Sequence, residues 1–389
     1  MSKTKIQGTY LEMSLLIVFL LMSSATSGSQ NGTADLFFHG TISYGNSLSL
    51  LSVRQDTIYN ETGPIFLLGC NVRGRAYNPK NDGKYDDWYT DRVADSANLE
   101  SFGFNTVRLL MYWECLETST APNEFSYNDT YLNLLRETIE VYNKKRIYVI
   151  IDLHEHGSVN ELSKFIPTLG TDVDFGDEFY SDVSNNSARE HLKQLWLRVS
   201  NIFKNSSGVA GYDICNEPHR SSGKLSNQQV ENLWFDIADY VISSLRANGD
   251  NHIVFVNFSP GARDAHFMSR RINDDNVVYS PHFYPGIEEG SLTVLYNDYP
   301  QLESDFQYYV NATMTTFNTP FVMEEQGFGS HSIDPGDARD IWLINAITAH
   351  RSNPLMQGWL YWCYVAYGGS VEGSGWQTRI VQEFVDKPL

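Results

Sequence analysis

The strongest constraint on the fold is a rhythm. From residue 65 onward, short apolar runs alternate with longer segments of helical period. The runs cover residues 65–71, 105–110, 146–152, 209–216, 252–257, 277–282, 320–325 and 358–362. Helical stretches are expected at 91–102, 131–142, 188–203, 228–246, 262–271, 303–316 and 338–350, with a short closing one near 377–384. Several runs are apolar at consecutive positions, which suits strands buried on both faces. Strand followed by helix, repeated around the chain, predicts an α/β protein, a parallel (β/α)8 TIM barrel. An open doubly wound sheet shares the rhythm, but no Gly-x-Gly-x-x-Gly fingerprint supports it. The polar segment 34–62, with short apolar patches, predicts a surface strand or hairpin over one end of the domain. The connection 153–186 far exceeds the roughly 2–6 residues usual for a βα loop. It is expected to wall or cover a cleft.

The N-terminus reads as a secretory leader over residues 1–28. Lys3 and Lys5 precede the apolar stretch from Leu15 to Met22, and Ser23, Ser24, Ala25, Ser27 and Gly28 offer small residues for cleavage. That stretch is much shorter than the ~20 residues that span a bilayer. Residues 29–389 are then expected to form one catalytic domain, since no Pro/Ser/Gly-rich linker and no internal repeat divides them. A secreted monomer without stable membrane insertion is expected. Seven Asn-x-Ser/Thr sequons, at Asn31, Asn60, Asn128, Asn185, Asn205, Asn257 and Asn311, fit a secreted surface. Cys70, Cys115, Cys215 and Cys363 sit in or beside apolar runs and are expected to be buried thiols, with room for one bridge. The net charge of −19 argues against nucleic acid or an anionic membrane as partner.

Chemistry gathers where the strands end. Tyr212-Asp213-Ile214-Cys215-Asn216-Glu217-Pro218 is an apolar run stopped by a proline, which cannot donate to a sheet ladder. It leaves Asn216 and Glu217 at the strand tip. Phe321-Val322-Met323-Glu324-Glu325 ends in carboxylates as well, before Gln326-Gly327. Other tips bring Arg108, Trp113 and Glu114; Asp152, His154, Glu155 and His156; His282 and Tyr284; and Trp359, Tyr361 and Trp362. The C-terminal face of a parallel barrel is where such residues meet a substrate. Buried charges in this number are costly unless paired and used. Two carboxyl groups facing one another are what glycoside hydrolysis needs. His154-Glu155-His156 lacks the i, i+4 histidine spacing of a helical zinc site, so neither a metal nor a cofactor is expected.

These motifs together resemble glycoside hydrolase family 5, the cellulase-like family of clan A. The resemblance rests on Gly69-Cys70-Asn71, on Arg108 in Gly103-Phe104-Asn105-Thr106-Val107-Arg108, and on Asp152-Leu153-His154. Asn216-Glu217-Pro218, His282-x-Tyr284, Glu325-x-Gly327 and Trp362 complete it. It implies that Glu217 is the general acid/base and Glu325 the nucleophile. It further implies that Asn216 binds the sugar 2-hydroxyl and that Arg108 and Tyr284 hydrogen-bond the nucleophile. His154 and His282 position substrate and tune the acid, and Trp362 stacks under the sugar before the scissile bond. The roles demand a protonated Glu217 and an ionised Glu325, which Arg108 favours. Neighbours in a strand face opposite sides, so one of Glu324 and Glu325 reaches the cleft. The family pattern selects Glu325, leaving Glu324 as a supporting group behind it or as a helix-side ion-pair partner. Gln326 departs from the aromatic residue that often follows the nucleophile. The substrate is expected to be a polysaccharide or oligosaccharide with β-linkages, first a β-1,4-glucan cut internally. A β-mannan, a β-1,3-glucan cut from its end and a glycosphingolipid remain open. A glycan-binding barrel without catalysis would lack one of the two carboxylates.

Overall fold

The computed structural model describes residues 48–72, 92–154, 175–219, 223–259, 261–284, 299–327, 336, 338–366 and 369–370. They lie within the compact unit His39–Leu389. Two short strands come first, β1 (Ser52–Arg54) and β2 (Thr57–Tyr59), paired antiparallel. Eight further strands follow: β3 (Leu67–Val72), β4 (Thr106–Met111), β5 (Tyr148–Leu153), β6 (Val209–Asp213), β7 (Ile253–Val256), β8 (Val277–Tyr279), β9 (Phe321–Met323) and β10 (Met356–Tyr361). They close into one parallel barrel in chain order, with β10 pairing β3. Helices stand between consecutive strands, except that a 3-10 turn takes the helix's place between β7 and β8, so the chain is a (β/α)8 TIM barrel.

Side chains alternate along each strand and sort into two cores. Leu67, Ile150, Ala210, Phe255, Val278, Val322 and Leu360 fill the barrel interior. Leu68, Val107, Ile151, Val254 and Met323 face outward against helical residues such as Leu135, Leu195 and Val241. Every barrel strand is buried along its whole length, which explains why its sequence runs are continuously apolar. The β1–β2 hairpin packs Leu51 and Ile58 onto the inner core. Its Val53 and Ile58 amides donate to the side chains of Asn276, just before β8, and Gln357 on β10. The hairpin thus stoppers the barrel at its N-terminal end, the end away from the strand tips.

The helices begin where the sequence supplies caps. Ser187 starts Ala188–Phe203 and Ser226 starts Asn227–Ala247, the latter with a reciprocal capping box to Gln229. Ala188–Phe203 and Ala338–His350 occupy the expected ranges. The helical layer expected at 303–316 is longer and composite. It runs Tyr299–Phe306, a π turn Gln307–Asn311 and Ala312–Phe317. The helix expected at 262–271 is not formed, and only a 3-10 turn Ala265–Phe267 appears. Local partners take amides within it: Ala262 donates to the Phe258 carbonyl, His266 to the Asp264 side chain and Met268 to the Ala265 carbonyl. Just past it, Ile272 donates to the Tyr279 hydroxyl and Asn273 to the Asp239 carboxylate. The segment 377–384 lies outside the described residues. All four cysteines are buried free thiols. Among the described residues no helix is long and apolar enough to cross a membrane.

Candidate active site

Arg108 is the centre of the site. It projects inward from β4 and is completely buried. Its Nη1 donates to Asn71 Oδ1 at 2.9 Å and to Glu325 Oε1 at 2.5 Å. Its Nη2 donates to Asp213 Oδ2 at 2.5 Å and to Asn216 Oδ1 at 2.7 Å, and its Nε reaches Asp213 Oδ2 at 3.1 Å. Asp152 and Glu324 stand 3.0 and 3.3 Å away as further ion-pair partners. A planar guanidinium with five donors serves this many acceptors where a lysine could not. Burial alone would favour the neutral side chain, but the surrounding carboxylates hold the charge firmly in place.

Glu325 is nearly buried and receives a donor on each oxygen. Arg108 binds Oε1, and the half-buried Tyr284 donates its hydroxyl to Oε2 at 2.9 Å. Burial and then the charges of Glu325 and Glu217 push the Tyr284 phenol well above its usual range, so it stays a donor. Glu217 is the more open acid, its side chain 20% exposed against 5% for Glu325. Glu217 Oε1 meets His282 Nδ1 at 2.9 Å, and the same nitrogen lies 3.5 Å from Glu325 Oε2. One oxygen of each glutamate and a ring nitrogen of His282 all lie within 4.8 Å of one another. The donors a cation would need are already engaged in hydrogen bonds to Arg108, Tyr284 and each other.

His154 turns Nδ1 to Asp152 Oδ2 at 2.7 Å, which fixes its ring. Its ring lies parallel to the half-buried Trp362 at 5.1 Å and edge-on to Tyr112 at 5.7 Å. Gly327 allows the close approach of this wall. Its φ is +131°, and a Cβ there would sit 2.5 Å from the Tyr361 ring. All eight candidate residues therefore converge: Arg108, His154, Asn216, Glu217, His282, Tyr284, Glu325 and Trp362. Other tip residues do not. Trp359 and Tyr361 face the helical layer. Trp113 is buried with its indole on Glu117. Glu155 and His156 lie outside the described residues.

Two expectations need correction. The run expected to be strand through Asn216 is continuous strand only to Asp213, and the one expected through Glu325 only to Met323, with Glu325 keeping an isolated parallel bridge to His282. Strict alternation lapses beyond those ends, so Glu324 and Glu325 both reach Arg108. Glu324 is therefore not a helix-side group. Sequence reasoning also passed over Asn71, Asp152 and Asp213 as partners of Arg108. The signal was present: each is a polar residue inside an otherwise apolar run, and Asp152 shares the inward face of β5 with Ile150.

A closed parallel barrel with paired carboxylates at its C-terminal mouth is the architecture of many glycoside hydrolases. The family model "Cellulase (glycosyl hydrolase family 5)" matches residues 69–368, and the chain belongs to that family. Endoglucanase C of Evansella cellulosilytica is 26% identical over 265 residues, 64% of this chain and 28% of its own length. The chain spans no more than 51% of the length of two further endoglucanase relatives. Among solved structures, a cellotetraose complex of the Pyrococcus horikoshii endocellulase superposes with a TM-score of 0.63 at 17% identity, covering 87% of this chain and 99% of that one. An endogalactoceramidase gives 0.60 at 22% identity, covering 86% and 79%.

Proposed function

We propose that this chain is a secreted, retaining endo-β-1,4-glucanase, with Glu325 as nucleophile and Glu217 as acid/base. The observation that carries the reading is the approach of the two carboxylates within 4.8 Å. Retaining enzymes hold their carboxyl groups about 5–5.5 Å apart, whereas inverting ones leave roughly 6.5–9.5 Å for a water. In the first step a Glu325 oxygen bonds to the anomeric carbon. The bond to the leaving oxygen breaks, and the Glu217 proton passes to that oxygen. In the second step Glu217 takes a proton from water, the water oxygen bonds to the anomeric carbon, and the ester to Glu325 breaks. Two inversions restore the β configuration.

The surrounding residues serve these steps. Arg108 and Tyr284 aim Glu325 and stabilise it as the leaving carboxylate of the second step. His282 Nδ1 shares a proton with Glu217 as its charge alternates. Asn216, held by Arg108, is placed for the sugar 2-hydroxyl. Trp362, braced on His154, offers its other face to a pyranose ring. The endoglucanase relatives support the β-1,4-glucan assignment. The likeness to an endogalactoceramidase supports a second reading, a glycosphingolipid substrate on the same machinery. Residues 1–28 act as the leader.

The test is hydrolysis of carboxymethylcellulose, mannan, laminarin, xylan and a glycosphingolipid by residues 29–389. Carboxymethylcellulose is expected to be cut, and Glu325→Ala to be inactive. Added azide should rescue Glu325→Ala to an α-glycosyl azide, whereas Glu217→Ala should yield the β-azide. Turnover by Glu217→Gln should fall by about 10²–10⁴ on poor leaving groups. Full activity in either variant would remove that residue from its role, and cleavage of the glycolipid alone would select the second reading.

A further inference from the structure

Four carboxyl groups surround the single guanidinium of Arg108, and the mechanism uses only one of them. Asp152, Asp213 and Glu324 are completely buried, and Glu325 nearly so. Glu324 is the most unusual. It stands 3.3 Å from Arg108 Nε, yet neither of its oxygens accepts a hydrogen bond. A buried carboxylate with no donor on either oxygen is among the most costly groups a protein can hold. A carboxylic acid in the same place is not, because it can donate.

The ring of neighbours can be named element by element among the described residues. Beta3 brings Asn71, whose amide donates to the Glu324 carbonyl, not to its carboxyl. From β4 comes Arg108; from β5 and its end come Asp152 and His154, which pair with each other. Asp213 arrives from β6. Beyond β7, Asn257 donates to Asp213. His282 from the end of β8 faces Glu217 and Glu325. Arg108 is the one side chain of permanent positive charge in this ring. Were Asp152, Asp213, Glu324 and Glu325 all ionised, one guanidinium would face four negative charges in a dry space. Like charges so close cannot all be kept.

We propose that Glu324 is a proton-carrying positioning residue, a neutral acid that donates to Asp213 and so leaves Arg108 free to serve Glu325. The inference rests on Glu325 being the nucleophile. Burial first, then the charge of Asp213, keeps the Glu324 carboxyl protonated well above the usual range, and Arg108 does not offset them. Asp213 and Glu324 meet at the same nitrogen, Arg108 Nε, at 3.1 and 3.3 Å, which sets the two carboxyls side by side. With that proton in place, Asp213 is satisfied by Arg108, Asn257 and Glu324 together. Without a donor at position 324, Asp213 draws harder on Arg108, and the contact from Nη1 to Glu325 loosens. The nucleophile would then ionise less readily.

The experiment compares Glu324→Gln and Glu324→Leu by the pH dependence of kcat/KM. Its acid limb reports ionisation of the nucleophile. Gln is neutral and can still donate to Asp213, so its acid limb should coincide with that of the parent and kcat should stay within about threefold. Leu fills the space without a donor, so its acid limb should move up by half a pH unit or more and kcat should fall about tenfold. Difference infrared spectra at pH 7, parent minus Glu324→Gln, should show one protonated-carboxyl carbonyl band in excess in the parent, the contribution of Glu217 cancelling. A downward shift of the acid limb in Glu324→Gln, or no such band, would show that Glu324 is ionised and overturn the proposal. So would a Glu324→Leu profile identical to the parent's. Thermal unfolding of both variants separates misfolding from mispositioning; should Leu fail to fold, the Gln profile and the infrared band still decide. Activity remaining in Glu325→Ala would instead defeat the nucleophile assignment, which is a different failure.

Discussion

Arg108 shows how one residue can be both fold and function. It sits in an apolar strand, where a charge is tolerated only if every donor is used, and here every donor has an acceptor. Arg108→Lys keeps the charge but cannot span the ring of acceptors. We expect kcat to fall by about 10²–10³, the scale of losing preorganised donors to a reacting group. Arg108→Met removes the charge, strands the buried carboxylates, and should cost about 3–5 kcal/mol in denaturant unfolding. A Met variant as stable as the parent would mean that the carboxylates simply take up protons. Arg108 was legible in the chain because a lone arginine inside Val107-Arg108-Leu109 has few structural excuses. Glu324 was not, because strand alternation gives one answer inside a continuous strand and none past its end, which here is Met323.

At the scale of elements, the loop after β4 is fastened by a buried ion pair. His191 on the helix Ala188–Phe203 meets Glu117 Oε1 at 2.5 Å through Nδ1 and the Pro122 carbonyl at 3.0 Å through Nε2. With Glu117 ionised both partners are acceptors, an arrangement that favours a proton on each nitrogen, the imidazolium form. Burial pulls its pKa down, but the hydrogen bond and charge of Glu117 outweigh it and leave the pKa raised. A raised folded pKa stabilises fully below the unfolded value, about 6.5, and the benefit is lost as pH rises through the folded value. His191→Gln should therefore lower Tm more at pH 5.5 than at pH 9, as differential scanning calorimetry would show. An equal loss at both would mean that the ring serves by packing alone, for instance against Phe125. Long helices with a cap and an apolar stripe were readable to within two residues at each end: Ala188–Phe203 at its expected bounds, Asp129–Lys144 against 131–142 and Asn227–Ala247 against 228–246. The 262–271 segment was not, because the chain just past it is held extended by bonds from the Ile272 and Asn273 amides to Tyr279 and Asp239, partners that only folding supplies.

For the whole molecule, closure of the barrel decides which surface remains. The sequons illustrate this: the sequence marks Asn257 down, since it ends a strand-like run and Ser259-Pro260 follows, but only the structure separates the others. Asn257 is completely buried with its amide on Asp213, and Asn311 is buried against Asn353. Asn185 and Asn205 are exposed. Made in a glycosylating secretory host, the protein should carry glycans at Asn185 and Asn205 and none at Asn257 or Asn311. Peptide mass mapping checks this, and occupancy at Asn257 would contradict the described fold there. The barrel itself was written in the chain, because eight apolar runs separated by helical stretches leave a closed parallel sheet as the solution that buries every run on both faces. The residue types of the site were written there too, at the places where those runs stop. What needed three dimensions was the assembly of charge. Asp152, Asp213, Glu324 and Glu325 are far apart along the chain, apart from the last pair, and nothing local sets their protonation. Only when β4, β5, β6 and β9 bring them around Arg108, away from water, does their mutual repulsion become strong enough to decide which of them keeps a proton.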